Sequence, residues 1–546
     1  MPLIDVFKKD KFRLIPVKIG IAFFRSFISF YNMKRSSFRQ IIFLKVAILF
    51  SLAAFSQTDT AYITLSLQNP ETHIVHVTMK CNNQLKNSIE FKMPQWTPGY
   101  YQIMNYANHV SNFSVSGNNN QQLIWNKVNS NTWTVNTNSQ TTITLNYDVL
   151  ADSAFVATSF IDTSHAYLTP AATFLYIDKQ IVTPVALTIQ SYKNWSRIAT
   201  GLDSVAGKIY RYTAPDFDVL YDCPILAGNL EELPSFKVRG IPHRFIGYKL
   251  GDFDKAAFMN DLKSIVEAAV NIMQDIPYKE YTFLGIGPGN GGIEHLTSSA
   301  NSFTGDALNT EGGRKEMLSF FAHEYFHNYN VKRIRPIELG PFDYDNGSKT
   351  NQLWISEGWT VYYEYLITKR AGIISDTDLY SNVRGNILAY EKHDGKNHQS
   401  LAQASAETWS DGPFGNDPNK TISYYDKGPG VALMLDFAIR HYTNNKRSLD
   451  DVMRTLYSEF YKEKKRGFTE VELKKVCEAT AGKNLDEVFS YVYTTKNLNY
   501  TKYFNYGGLA IDDTNISFNI KPLLNPDALQ MMILKSWLNG RIFNKH

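Results

Sequence analysis

The sequence predicts an α+β multidomain chain: an N-terminal antiparallel β-sandwich, then a mostly helical domain that carries a small edge-strand sheet. Three observations carry this reading. The chain has 546 residues, too many for one compact core, so two or three domains are expected. From Ala61 to about Leu233, short runs alternate apolar and polar residues between clusters of Asn, Gly and Ser, the period of half-buried strands. From Phe236 onward the period lengthens to that of amphipathic helices, with one glycine-rich interruption.

Residues 1–56 differ from the rest. Met33-Lys-Arg-Ser-Ser-Phe-Arg-Gln opens a basic segment, and Ile41 to Phe55 is an apolar run broken only by Lys45 and Ser51. Small residues follow at Ala53 and Ala54, ahead of Gln57. This is the layout of a secretory signal cut near Gln57, with Met33 a better start than Met1 and residues 1–32 a start-site extension. The run is shorter than the ~20 apolar residues a membrane span needs, so the expected product is exported, periplasmic or extracellular, with no stable span in the mature chain. The leader holds ten Lys/Arg and two Asp/Glu, a net of +8 against +4 for the whole chain, which leaves the remainder at −4. The basic balance belongs to the leader and gives no reason to expect a nucleic-acid partner. Cys81, Cys223 and Cys477 lack metal-ligand spacing; one disulfide and three buried thiols are both open.

The N-terminal domain is expected over 57–234. Tyr62–Leu67, His73–Met79 and Thr141–Val149 alternate cleanly. Within it, Met93-Pro-Gln-Trp-Thr-Pro-Gly-Tyr-Tyr-Gln102 reads as a turn in aromatic surroundings, which favours a packing role over lining a cleft. The second domain is expected over 235–499. It opens with a helix from Asp252 to Asp275 whose Phe258, Leu262, Ile265, Val266 and Val270 recur at helical spacing. A strand begins at Tyr281, and Gly289-Asn-Gly-Gly-Ile-Glu-His-Leu-Thr-Ser-Ser299 follows, without the lysine or glycine spacing of a phosphate loop. Further helices are expected over Asp376–His393, Gly430–Tyr442, Leu449–Lys462 and Thr469–Ala479. The segment 500–546 is expected to hold two strands and no complete PDZ module.

The chemistry is concentrated in Phe321-Ala-His-Glu-Tyr-Phe-His-Asn-Tyr-Asn330. On a helix, residues four apart share a face, so His323 and His327 can aim two imidazoles at one metal ion, with Glu324 beside them to polarise a water. The bare H-E-x-x-H pattern also occurs in ordinary surface helices. Here Leu318, Phe320, Phe321, Tyr325 and Phe326 surround it, and buried histidines and acids need partners that a metal supplies. A second helical run, Asn351–Leu366, offers Glu357 as a third ligand among Trp354, Ile355 and Trp359. Two histidines and a glutamate leave one tetrahedral position for water, as in a catalytic zinc site. Glu364, two turns on, either orients a ligand histidine or pairs with a cation. Glu294, after Gly291 and Gly292, ends a strand-like stretch; an acid there can bind a free α-ammonium group while the strand edge pairs with an extended peptide. Its bland reading is a turn acid.

His323-Glu-Tyr-Phe-His-Asn-Tyr-Asn-Val-Lys-Arg-Ile-Arg-Pro336 with Leu353-Trp-Ile-Ser-Glu-Gly-Trp359 resembles the glycyl aminopeptidase family of gluzincin zinc metallopeptidases. Trp96-Thr-Pro-Gly-Tyr-Tyr101 and Gly291-Gly-Ile-Glu-His295 are similar to further segments of that family, and Tyr424-Tyr-Asp-Lys-Gly428 to the segment carrying the catalytic tyrosine of related zinc aminopeptidases. The resemblance implies a thermolysin-like domain binding one catalytic Zn2+. It implies Glu324 and Tyr425 as catalytic residues, with Tyr424 the neighbour that could be confused with Tyr425. Glu294, Gly291 and Gly292 are implied as substrate-binding, and peptides with N-terminal glycine or another small residue as substrate. Two alternatives stay open: a zinc endopeptidase or related hydrolase with no free-amine requirement, and a non-catalytic peptide-binding protein on a peptidase scaffold.

Overall fold

The computed structural model describes residues 60–83, 86–514 and 517–541; the expected leader and its cut lie outside them. Seven of the early strands, among them Ala61–Ser66, Ile74–Asn82, Thr142–Leu150 and Val185–Gln190, form one sheet. Their alternation buries Ile63, Leu65, Val75, Val77 and Leu145. These pack in a common core with Phe91, Trp133 and Val135 of a four-stranded sheet and with Leu168 and Ile225 of another. The sheet is mixed rather than antiparallel throughout, because Ala61–Ser66 runs parallel to Val185–Gln190. Alternation marks which face a residue takes, not strand direction; a parallel neighbour needs only a long crossover, and most of the domain lies between these two strands.

The second region starts with a sheet whose strands include Ile241–Gly247, Tyr281–Gly285, Ser298–Asn301 and Gly292–Glu294. Gly292–Glu294 lies at one edge, antiparallel to Ser298–Asn301. The helix Lys255–Met273 is capped by Asp254, whose side chain accepts from the Ala257 N–H, and buries Leu262, Ile265, Val266 and Ala269. Edge-on aromatic contacts link Phe245 with Phe303 and Phe321, and Phe258 with Phe321. They fix the helix Glu311–Phe326, the histidine helix, against the sheet.

The run with Glu357 is not plain α-helix. Trp354–Trp359 is π-helical and continues into the α-helix Thr360–Arg370. Its Gly358 touches the helix Tyr424–Tyr442, the tyrosine helix: a Cβ at Gly358 would lie 2.7 Å from Gly428 Cα. Two glycines at one crossing let the backbones meet where side chains would collide. The tyrosine helix starts at Tyr424, six residues ahead of the expected Gly430. Pro429 between two glycines reads as a breaker. In place, it only deprives the Tyr425 carbonyl of its N–H donor, and Asn386 Nδ2 donates to that carbonyl instead, at 3.1 Å.

The tail also departs from expectation. Leu509–Ile511 and Ile520–Pro522 pair as two strands, but a helix Tyr500–Tyr506 precedes them and a helix Ala528–Asn539 follows. Asp527 and Gln530 form a capping box at the last helix, and its buried Trp537 donates Nε1–H to the Tyr362 hydroxyl at 2.9 Å. The three cysteines are buried and form no disulfide. No helix among the described residues is long and apolar enough to cross a membrane.

Candidate active site

The histidine helix is capped by Thr310, whose hydroxyl accepts from the Gly313 N–H. It delivers His323, Glu324 and His327 on its last turns. The two imidazoles face each other with Nε2 atoms 3.0 Å apart. Glu357 Oε2 lies 3.2 Å from His327 Nε2 and 3.6 Å from His323 Nε2. All three donor atoms lie within 4.8 Å of one another. Two ring nitrogens and a carboxylate oxygen converge in one buried spot, a geometry able to hold a cation. The donor set, two nitrogens and one oxygen, fits zinc, so these residues can hold such an ion. Burial would push the Glu357 carboxyl up, but His327 and His323 outweigh it and hold the group well below the usual carboxylate range.

Each histidine of the set is fixed from behind. His327 Nδ1 donates to the Asn330 carbonyl at 2.7 Å, and His323 Nδ1 to Glu364 Oε2 at 3.2 Å. Ser319 donates to the other oxygen of Glu364. Glu364 therefore lies behind a histidine, one of the two placements open from sequence. Asn330 Nδ2 donates to the Ile355 carbonyl at 2.8 Å and to Thr360 Oγ1 at 3.0 Å, which ties the end of the histidine helix to the π-helical turn holding Glu357. A single π-turn at a functional residue is a recurrent device; nothing in the alternation of apolar residues signals it.

Glu324 is buried beside the edge strand. A Cβ at Gly292 would lie 2.7 Å from the Glu324 carboxyl and 2.7 Å from Phe320 Cζ, so this close approach requires glycine. Burial pushes the Glu324 carboxyl up to about 7, against the lowering effect of His323 and His327. Its Oε2 has no hydrogen-bond partner among the described residues. Gly291, at φ +89°, takes a conformation that glycine alone enters readily.

Glu294 ends the edge strand, buried, and its Oε1 likewise has no partner among the described residues. The turn at Trp96 does more than pack. Trp96 is buried edge-on against Trp409, but Gly99 lies so close to Glu294 that a Cβ there would be 2.9 Å from its Oε2. Tyr100 and Tyr101 line the cleft. Behind Glu294 the next residue, His295, meets Asp222 Oδ1 at 3.3 Å, and Lys332 Nζ meets the same oxygen at 2.5 Å. Sequence reasoning missed Asp222 and Lys332. The lysine sits inside the long motif, so its excess length over H-E-x-x-H was the available signal.

Tyr425 opens the tyrosine helix, its ring 6.2 Å from that of His323 and nearly parallel to it. Burial, then the charge of Glu357, pushes its hydroxyl well above the usual phenol range. Tyr424 lies beside it, but its hydroxyl is engaged with Thr408 Oγ1 at 3.1 Å. The structure thus gathers His323, Glu324, Glu364, Gly291, Gly292 and Tyr425 on the lining of one cleft of about 1080 Å³, with His327 and Glu357 grouped on His323 and Glu294 beside Gly99 and Tyr101, two residues of the cleft wall, in a small adjoining pocket.

Comparison with known proteins agrees with this architecture. Residues 62–229 match the Peptidase M61 N-terminal domain, and residues 316–431 match the M61 glycyl aminopeptidase domain. The fold is similar to that of an aminopeptidase N family protein from Idiomarina loihiensis, 25% identical over 83% of this chain and 79% of that one, with a TM-score of 0.78. It is also similar to an M1 zinc metallopeptidase from Deinococcus radiodurans, 12% identical over 81% of this chain and 95% of that one, at a TM-score of 0.51. No curated protein matches the chain in sequence.

Proposed function

Because the chain belongs to the M61 glycyl aminopeptidase family, we propose that it is a zinc-dependent aminopeptidase that removes glycine or another small residue from the N-terminus of peptides. The observation that carries this reading is the buried, unanswered Oε1 of Glu294 at the end of an edge strand, next to the metal-holding set. A buried carboxylate is costly without a counter-charge, and a substrate's α-ammonium supplies one.

The roles follow from position. His323, His327 and Glu357 would hold zinc, which when bound supplies Lewis-acid polarisation of a water and of the scissile carbonyl. Glu324 takes the proton of the attacking water and later gives it to the leaving amine. The Tyr425 hydroxyl donates a hydrogen bond to the developing oxyanion, a contact whose loss typically costs ~10²–10³ in rate. The free edge of Gly292–Glu294 pairs with the substrate backbone, and Glu294 binds its first nitrogen. The family match supports a small first residue. Export through the leader belongs to the same proposal, and cell fractionation tests it.

The decisive experiment compares a glycine-initiated peptide with its N-acetylated twin, with and without a zinc chelator. Cleavage of the free-amine peptide alone, abolished by the chelator, is expected. Equal cleavage of both would replace the aminopeptidase with a zinc endopeptidase or related hydrolase. Stoichiometric zinc with no turnover on a broad peptide library would leave a binding protein.

A further inference from the structure

We infer that Phe414 contacts the side chain of the substrate's second residue and gives the enzyme a preference for large apolar residues there. The inference rests on the aminopeptidase reading, and it concerns the residue after the scissile bond rather than the one removed.

Phe414 is a phenylalanine 69% exposed, on the rim of the catalytic cleft. A lone exposed apolar residue usually means little, but one set in a cleft beside the Tyr425 ring is a candidate contact. Its ring centroid is 5.3 Å from that of Tyr425. The loop carrying it is tethered at two points upstream. The Pro413 carbonyl accepts from Ser423 Oγ at 3.0 Å, and Ser423 is the cap of the tyrosine helix. Just upstream, Trp409 is anchored edge-on against Trp96. Gly412 and Gly415, both at φ +72°, make the bends on either side of the exposed Phe414.

The order of contacts along the cleft assigns the subsite. Glu294 ends the edge strand; Gly292 on the same strand meets Glu324. Glu324 adjoins His323, whose ring faces Tyr425, and Tyr425 meets Phe414. A peptide whose ammonium lies at Glu294 and whose first carbonyl lies at His323 and Tyr425 runs its second residue towards Phe414. An aromatic ring rewards apolar side chains and gives a carboxylate nothing.

The test measures kcat and KM of the full chain on free-amine peptides beginning Gly-Leu, Gly-Phe, Gly-Gly and Gly-Asp. The wild type should favour Leu and Phe over Gly and Asp by at least about tenfold in kcat/KM, a typical return for apolar contact in a pocket. In Phe414→Ala that ratio should fall towards one, mainly through KM for the Leu and Phe peptides. Phe414→Leu should restore most of it. A wild type indifferent to the second residue overturns the inference and leaves the aminopeptidase standing. A uniform drop in kcat on all four peptides in Phe414→Ala also overturns it, because Phe414 would then only steady Tyr425. Absence of cleavage of every free-amine peptide by the wild type overturns this inference together with the reading beneath it.

Discussion

The end of the site proposed to hold the metal and the Glu294 end, proposed to bind the substrate amine, are built in opposite ways. At the metal end, adjacent turns of one helix and the π-turn that follows supply all three donors, and both outward imidazole nitrogens are answered, by the Asn330 carbonyl and by Glu364. At the amine end, Glu294 is positioned by the Trp96 turn, by the edge strand and by the Asp222–Lys332 pair, segments far apart in sequence, and its Oε1 stays unanswered. The difference teaches what each end waits for. The two histidines, whose rings must keep one geometry, are satisfied from behind, whereas the group proposed to take and release a substrate charge is left open. The two ends should therefore fail differently when mutated.

The largest effect is expected at the metal end. His327→Ala and Glu357→Ala should lose both bound zinc, read by elemental analysis, and all measurable activity. Glu324→Gln should keep its zinc and lose about 10²–10⁴-fold in kcat. Loss of metal in Glu324→Gln would remove the division between holding the ion and moving the proton.

Next in size is the support of the amine end. Lys332→Met leaves Asp222 buried without its principal counter-charge, and breaking such a pair costs about 3–5 kcal/mol, to be read from urea unfolding. In the intact protein burial raises the Asp222 carboxyl, but Lys332 and His295 prevail and hold it below its ordinary value. Its contribution is thus complete above the unfolded value near 4 and is lost as pH falls through the lower folded one. The variant's stability deficit should shrink in strong acid; a deficit independent of pH would point to lost packing instead.

Glu294→Gln sharpens the comparison further. It should lower kcat/KM on free-amine peptides by about 10²-fold, the order expected when one member of a buried charge pair is truncated, with zinc content and fold unchanged. Glu364→Gln should do the reverse, weakening zinc affinity about 10–100-fold in a chelator titration without altering the requirement for a free amine. If both variants lost metal and amine selectivity alike, the two ends would be one unit.

How much of this was legible follows the same division. His323 and His327 were legible because helical spacing alone puts them on one face, Glu324 because it directly follows the first of them, and Glu357 because an acid among tryptophans is anomalous. The strand edge at Gly292–Glu294 was legible from its glycines. Asp222 was not, because nothing in a sequence marks which distant acid a lysine will meet. The parallel pairing of Ala61–Ser66 was hidden since alternation carries no direction. The terminal helix Ala528–Asn539 was hidden behind the preceding strands, although its Asp527 and Gln530 are a capping pair at the usual spacing.

The start of the tyrosine helix is the instructive miss, and it yields the smallest prediction. Pro429 removes the donor that the Tyr425 carbonyl would use, a local rule against a helix there. The tertiary structure answers it with Asn386, whose Oδ1 is held by the Tyr365 hydroxyl at 2.7 Å so that its Nδ2 is turned to the carbonyl. Asn386→Ala should then cost about 1 kcal/mol, the net worth of a hydrogen bond, and lower kcat a few-fold through the looser Tyr425 while zinc content holds. Adding Pro429→Ala restores an N–H four residues along, so the double variant should regain much of the stability that Asn386→Ala lost. Simple additivity in that cycle would show that the amide does not stand in for the missing backbone donor. The early helix start would then rest on the Ser423 cap and on packing at the Gly358–Gly428 crossing.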